Sequence, residues 1–407
     1  MRKLFTLLTL TLVLAASCAQ AQEADFVNAE ANHISLNGDD WSGVRQSLRN
    51  SKSWHGGKWQ AVHIGDSHVQ PGIFTDQVRK AFQRKWGNGG RGLLTPLSIA
   101  KTNEPADYVL KATGVADYSR LISRNWTTDM GLTGIAVRFG TDRTDLWVRA
   151  KSAADRFSRV TLLHAEGEGY ETAMVCDSLI FGRRISGMAS LIDLGSPTDT
   201  VAMTVPCPTD FWGVVLSNNK NGVMVHNIGI NGATYASYNR VPGFSGQLQL
   251  LEPQIIIISL GTNEAFGNTS MFEANMDRLV RALRKDNPKA KILLTTPMEC
   301  HKQTSTKVPT RVTTGKGRRA RTKTIYKKVS SYAPNPGVGE VRQMILNYGR
   351  RHKIATWDLY EVAGGEGAAQ VWIDQGLMNA RDHIHQLNRG YELQGRLLAE
   401  ALMEILN

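Results

Sequence analysis

Residues Trp59 to Gly72 read WQAVHIGDSHVQPG. Trp59 to Ile64 is an apolar, strand-like run that stops at Gly65-Asp66-Ser67-His68. Ile73, Phe74, Val78, Phe82 and Trp86 then recur at helical spacing. Ser67 is therefore expected at a strand-to-helix turn. A turn of this kind exposes the hydroxyl and leaves the serine amide near a helix N-terminus, where negative charge is stabilised. Asp and Ser are also ordinary caps, so the triplet alone reads first as a capped turn. A serine hydroxyl is a weak nucleophile and needs an adjacent base. The rest of the chain decides between the two readings.

Working outward, the α/β rhythm resumes at Val223. "GVMVHNIGING" reads as a strand ending in glycine, and "QIIIISLG" and "KILLTTP" read as strands buried on both faces. Ser270-x-x-Glu273 is expected as a capping box for a helix with Phe272, Met276, Leu279, Val280 and Leu283 on one side. Val341, Ile345 and Tyr348 mark another helix, "IATWDLY" a strand, and Tyr391 to Ile405 a last helix. Near the N-terminus, Asp39 or Asp40 is expected to cap a short helix bearing Trp41, Val44 and Leu48. Strand–helix alternation implies a parallel sheet covered on both faces. Between Ile99 and Gly222 the period changes to short runs such as "DLWVRA", "RVTLLHA", "TVAMTVP" and "FWGVVLS", which read as an all-β sandwich. The expected layout is an α/β domain over 22–98 and 223–407, interrupted by a β-sandwich over 99–222.

Three further segments carry candidate chemistry. "ARDHIHQLNRG" offers His385 as a base and Asp382, three residues earlier, to orient its ring, although taken alone the stretch reads first as a capped helix start with surface histidines. "NIGINGATY" places Gly232 after a strand end, where a backbone N–H can approach a ligand closely. "SLGTNEAFG" places Asn263, with a side-chain amide to donate, after another. In open α/β sheets ligands sit beyond the carboxyl ends of the strands, which these segments share with Ser67. A competing metal reading gathers Asp66, His68, Asp382, His383 and His385, but without a zinc-type spacing.

These blocks, "IGDSH", "GINGATY", "LGTNE" and "DHIH", together resemble the SGNH, or GDSL-type, hydrolases. The resemblance implies a flavodoxin-like three-layer α/β/α sandwich. It implies Ser67 as nucleophile, an oxyanion hole from the Ser67 N–H, Gly232 N–H and Asn263 amide, and Asp382 and His385 completing a triad. It implies neither metal nor organic cofactor. GDSH stands where GDSL is commoner, and Glu264 where Asp is usual. The sandwich between Ser67 and Gly232 resembles the carbohydrate-binding-like insert of bacterial peptidoglycan O-acetylesterases. The expected activity is removal of O-acetyl groups from a cell-wall glycan or polysaccharide. The rival readings are an O-acetyltransferase with the same triad and a non-catalytic glycan-binding protein.

The 407 residues are 42% hydrophobic and 21% charged, an ordinary globular balance. "MRKLFTLLTLTLVLAASCAQAQ" reads as a secretory signal peptide over 1–21, with Cys18 as an alternative lipid-attachment point. Export to the periplasm or beyond is the expectation, and no later apolar run reaches membrane length. The formal net charge is +12, and about +10 without Arg2 and Lys3, which suits an anionic cell-wall polymer as partner. No nucleic-acid motif appears. Much of the charge lies in 302–336, which carries no acid and is expected as a basic β-hairpin near the active-site edge. Cys176 and Cys207 lie in the same β-rich stretch, as a disulfide or as two thiols.

Overall fold

The structure is a computed structural model describing residues 25–53, 57–314 and 321–407. The signal-peptide reading, Cys18 and the hairpin tip at 315–320 fall outside the described residues. Among the described residues no helix is long and apolar enough to cross a membrane.

Five parallel strands form the central sheet: Lys58–Gly65, Gly222–Gly229, Ile255–Ser259, Lys291–Thr295 and Ala355–Trp357. Taken in chain order they lie 2-1-3-4-5 across the sheet, and Ile34–Ser35 adds an antiparallel edge beside Ala355–Trp357. This is the flavodoxin-like order, with its switch point at the first strand. Side chains alternate between the two sheet faces. Val62 and Ile64 of the first strand face one core, with Leu279, Val341 and Ile345 from the helices Phe272–Asp286 and Pro336–His352. Trp59 and Ala61 face the other, with Phe74, Val78 and Leu398 from Ile73–Trp86 and Asn388–Leu406. The three-layer α/β/α sandwich follows directly from that alternation.

Between the first and second parallel strands stand two antiparallel sheets. One has five strands, including Tyr108–Ala112, Arg143–Ala150 and Thr200–Pro206. The other includes Phe157–His164, Ala189–Thr198 and Phe211–Ser217. Gly92–Leu94 pairs with Phe211–Ser217 and so joins this second sheet seven residues or so before the sequence period changes. Its Leu93 and Leu94 belong to the same apolar core as Val62 and Ile64. The seam is reinforced by buried charge. Arg79, on Ile73–Trp86, meets Asp76, Asp155 and, at 3.5 Å, Asp107. Arg91 holds Asp107 through two bonds of 2.9 Å. Burial alone would raise the Asp107 carboxyl, but Arg91 wins and holds it at about 2.

One local expectation needs correction, and one open alternative is resolved. The Ser270–Glu273 capping box does not form. Asn268 caps a short 3-10 turn there, the helix begins at Phe272, and Glu273 pairs with Arg351 at 2.6 Å. Ser270 lies within that turn and Met271 takes the cap position, so the serine and Glu273 are out of register for the reciprocal bond. Cys176 and Cys207 are both free thiols, the first exposed in a turn and the second half-buried. At the N-terminal helix Ser42–Asn50, Asp40 accepts from the Ser42 N–H at 2.9 Å.

The basic segment forms a hairpin. His301–Thr314 and Arg321–Pro334 pair antiparallel from His301 opposite Pro334 to Thr314 opposite Arg321. Nearly all of its described side chains are exposed.

Candidate active site

The strand ends line up in register: Gly65 lies beside Gly229 and Ser259, and Ser259 beside Thr295. After Gly65 the chain turns tightly, Val69 N and Gln70 N both donating to Asp66 O at 3.2 and 3.0 Å. The turn is seated on glycine. A Cβ on Gly65 would lie 2.3 Å from Val69 Cγ2, and one on Gly229 would lie 2.2 Å from Gln70 N. Only bare backbone lets the Ser67 turn sit this close to the sheet.

Ser67, half-buried on this turn, is reached from the far end of the sequence. His385 Nε2 lies 2.9 Å from Ser67 Oγ, and His385 Nδ1 lies 3.1 Å from Asp382 Oδ2. Asp382 is itself fixed. Its Oδ1 accepts from Ile384 N at 2.9 Å and His385 N at 3.0 Å, and Asn379 Nδ2 donates to Oδ2 at 3.1 Å. Partial burial works against ionisation, but these amides and the His385 ring hold the Asp382 carboxyl below its ordinary value. An ionised acid, an imidazole and a hydroxyl in one hydrogen-bonded line can move a proton off the serine.

Gly232 has φ +78, a left-handed conformation that a side chain disfavours, and it lines the same cleft. Asn263 follows the third strand on the short helix Thr262–Ala265. Its Nδ2 lies 3.0 Å from Ala233 O and 3.2 Å from Asp66 Oδ2. An amide nitrogen carries two protons, so an incoming oxyanion must share one of these. Asp66 is buried, and burial pushes its carboxyl up to about 7. Glu264, in place of the usual Asp, accepts from Tyr235 N at 2.8 Å and is likewise raised to about 7 by burial. His68 faces Tyr391, whose hydroxyl is 3.3 Å from its Nδ1, and its ring lies 5.4 Å from that of His385. Desolvation, and then His385, push His68 down to about 3. The metal-ligand reading is not assembled: Asp66 turns to Asn263, and His383 pairs with His301. Among the described residues no three His, Cys, Asp or Glu side chains converge on a metal site.

Ser67, Gly232, Asn263 and His385 line one cleft of about 480 Å³. Sequence reasoning missed three more of its walls: Asn103, Asn231 and Tyr391. Asn103, in the stretch leading into the sandwich, is tied down by Gln70, whose Nε2 donates to Asn103 O at 2.8 Å and Oδ1 at 2.7 Å. Gln70 Oε1 in turn accepts from Asn231 N at 2.6 Å. Isolated Asn and Gln in loops carry no periodic signal. The only available hint was the position of Gln70 three residues beyond Ser67.

No curated protein matches the chain. A solved structure described as "Peptidoglycan O-acetylesterase in action, 5 min" has 24% sequence identity and a TM-score of 0.72, covering 92% of this chain and 99% of that one. A match of that extent shows a common overall fold. A lipase/acylhydrolase from Enterococcus faecalis has 20% identity and a TM-score of 0.31, covering 46% of this chain and 79% of its own. An acetyl-xylooligosaccharide esterase from Geobacillus Stearmophilus has 15% identity and a TM-score of 0.30, covering 46% and 74%. The model of the GDSL-like Lipase/Acylhydrolase family matches residues 177–393, just over half of the chain, including Gly232, Asn263, Asp382 and His385 but starting beyond Ser67. The chain belongs to the GDSL-like lipase/acylhydrolase family and is a carboxylic ester hydrolase.

Proposed function

We propose that this protein acts outside the cytoplasm and removes O-acetyl groups from a cell-wall glycan, with Ser67 as nucleophile. The observation that carries the reading is the Ser67–His385–Asp382 line of 2.9 and 3.1 Å bonds, opening on the cleft that Gly232 and Asn263 also line. His385 Nε2 takes the Ser67 proton as Oγ attacks the ester carbonyl. The oxyanion is held by the Ser67 and Gly232 amides and by Asn263. His385 then protonates the departing sugar alkoxide and activates water, which releases the acid and restores Ser67. The glycan assignment draws on the protein of the same fold named a peptidoglycan O-acetylesterase, and on the net charge of +12. The N-terminal signal sequence supports export.

Release of acetate from O-acetylated peptidoglycan and from acetylated xylan by the purified mature protein tests the reading. Ser67→Ala is expected to abolish release without unfolding the chain, and His385→Ala to do nearly the same. Asn263→Ala is expected to cost about a hundredfold or more in kcat. Wild-type activity in a folded Ser67→Ala variant would overturn the assignment. Transfer of acetate to a glycan acceptor in preference to water would convert the reading to an acyltransferase.

A further inference from the structure

The hairpin's two faces differ, and the difference is fixed by its register. Residues directly opposite each other share a face, and successive residues alternate. One face presents Val308, Val312, Ile325 and Val329, with Lys323 and Lys327. The other runs outward from Tyr332 through Lys307 and Lys328 to Tyr326 and Arg311. Tyr326 is 69% exposed. Lys307 and Lys328 stand directly opposite one another. Like charges in that position destabilise a strand pair, so local folding does not account for them. None of these cations is ion-paired among the described residues.

This second face begins at the triad. The Tyr332 ring stacks on His383 at 3.9 Å and 5°, and its hydroxyl donates to Arg381 O at 2.6 Å. His301 N donates to His383 O at 3.0 Å, and the two His Nδ1 atoms lie 2.9 Å apart. His383 is the residue after Asp382. A groove of about 350 Å³ opens here, walled by Lys302, Tyr332, Arg381, Asp382 and Ile384 among others. The Asp382–Gln386 turn lines both spaces, with Asp382 and Ile384 on this groove and His385 and Gln386 on the cleft at Ser67.

We propose that the face bearing Tyr332, Lys307, Lys328, Tyr326 and Arg311, with the groove at its base, is a track for a polyanionic glycan strand. This deepens the esterase reading and rests on it. Charge complementarity selects the occupant: carboxylates along the strand neutralise cations that have no ion-pair partner among the described residues. The two tyrosines are six residues apart, about 20 Å along a strand, and offer flat faces to sugar rings between the charges. The strand held on the ribbon passes the Asp382 turn and presents its esters to Ser67. Neighbouring cations act together, so contact falls as salt rises.

The test uses the full mature chain and its Lys307→Gln/Arg311→Gln/Lys328→Gln triple variant. Binding is measured by co-sedimentation with insoluble cell-wall glycan, native and with its carboxylates amidated, across a salt titration. The triple variant is expected to lose binding at low salt by about tenfold or more, and amidation to do the same to the wild type. Turnover of 4-nitrophenyl acetate is expected to stay within about twofold, because a small neutral ester needs no track. Lys323→Gln/Lys327→Gln, on the opposite face, is expected to change binding by less than about threefold. Unchanged binding in the triple variant, or equal loss from the opposite face, would overturn the track. So would tighter binding to anionic lipid vesicles or an oligonucleotide than to the glycan, or a ribbon-dependent dimer in solution. If the wild type binds glycan but hydrolyses no ester, the esterase reading fails and the binding surface stands. If it hydrolyses the small ester but does not bind glycan, only the track fails.

Discussion

The β-sandwich and the basic ribbon both interrupt the α/β frame, and the chain secures them by opposite means. The sandwich shares an apolar core with the central sheet, through Leu93, Leu94, Val62 and Ile64 among others. Arg79 and Arg91, each at most 4% exposed, bind its Asp107 and Asp155. It also leads off with Asn103, a wall of the cleft. The ribbon buries almost nothing beyond its base, where Tyr332 and His301 meet His383. An isolated two-stranded hairpin is marginal in water, so stability alone gives no reason to keep one this long. The first insert is part of what folds; the second is available to what the protein meets.

The largest effect should come from unpairing the sandwich joint. Arg91→Met leaves the half-buried Asp107 without its main partner and empties a buried site, and is expected to destabilise the protein by about 2–4 kcal/mol, read as a lower urea midpoint. An unchanged midpoint would dissolve the distinction between the two inserts. A subtler effect sharpens it through pH. Asp107 is held at about 2, below the ordinary 3.8. A carboxyl with a depressed folded pKa stabilises fully above its unfolded value and loses that contribution as pH falls through the folded one. The thermal midpoint should therefore fall between about pH 4 and pH 2, and the acid limb should flatten in Asp107→Asn. The same slope in both proteins would place the acid sensitivity elsewhere. The smallest effect is expected from the ribbon. Replacing 304–331 by Asn-Gly joins Gln303 and Tyr332, already opposite each other, through a two-residue turn. The midpoint should move by no more than about 2 °C, and a fall beyond about 5 °C would make the ribbon a structural element.

Sequence reading was most reliable where one physical signal dominated. Buried parallel strands show as continuous apolar runs, and the hairpin shows as β-branched residues around a glycine turn, so both were legible. Ser67, His385 and Asp382 stood out because each is a reactive type at a strand end or helix start, and the fold brings them into one hydrogen-bonded line. What escaped depends on tertiary choice. Ser270 and Glu273 have the spacing of a capping box, but the 3-10 turn capped by Asn268 takes Ser270 and leaves Met271 at the cap position. Gly92–Leu94 is too short to show a period and is claimed by a strand more than a hundred residues away. Gln70 and Asn103 find each other only once the turn after Ser67 is folded. That both protons of the Asn263 amide are already engaged is not a property of any motif.

The glycine seat under Ser67 also sets how freely this chain can diverge. The ribbon can lengthen or shorten two residues at a time and keep its faces, since only a single-residue slip exchanges them. Its tyrosines and lysines can thus be re-spaced to suit a different polymer. Gly65 and Gly229 have no such latitude, because one added methyl on either would strike the turn that carries Ser67. Lineages of this protein should therefore vary in what they hold onto long before they vary in where they cut.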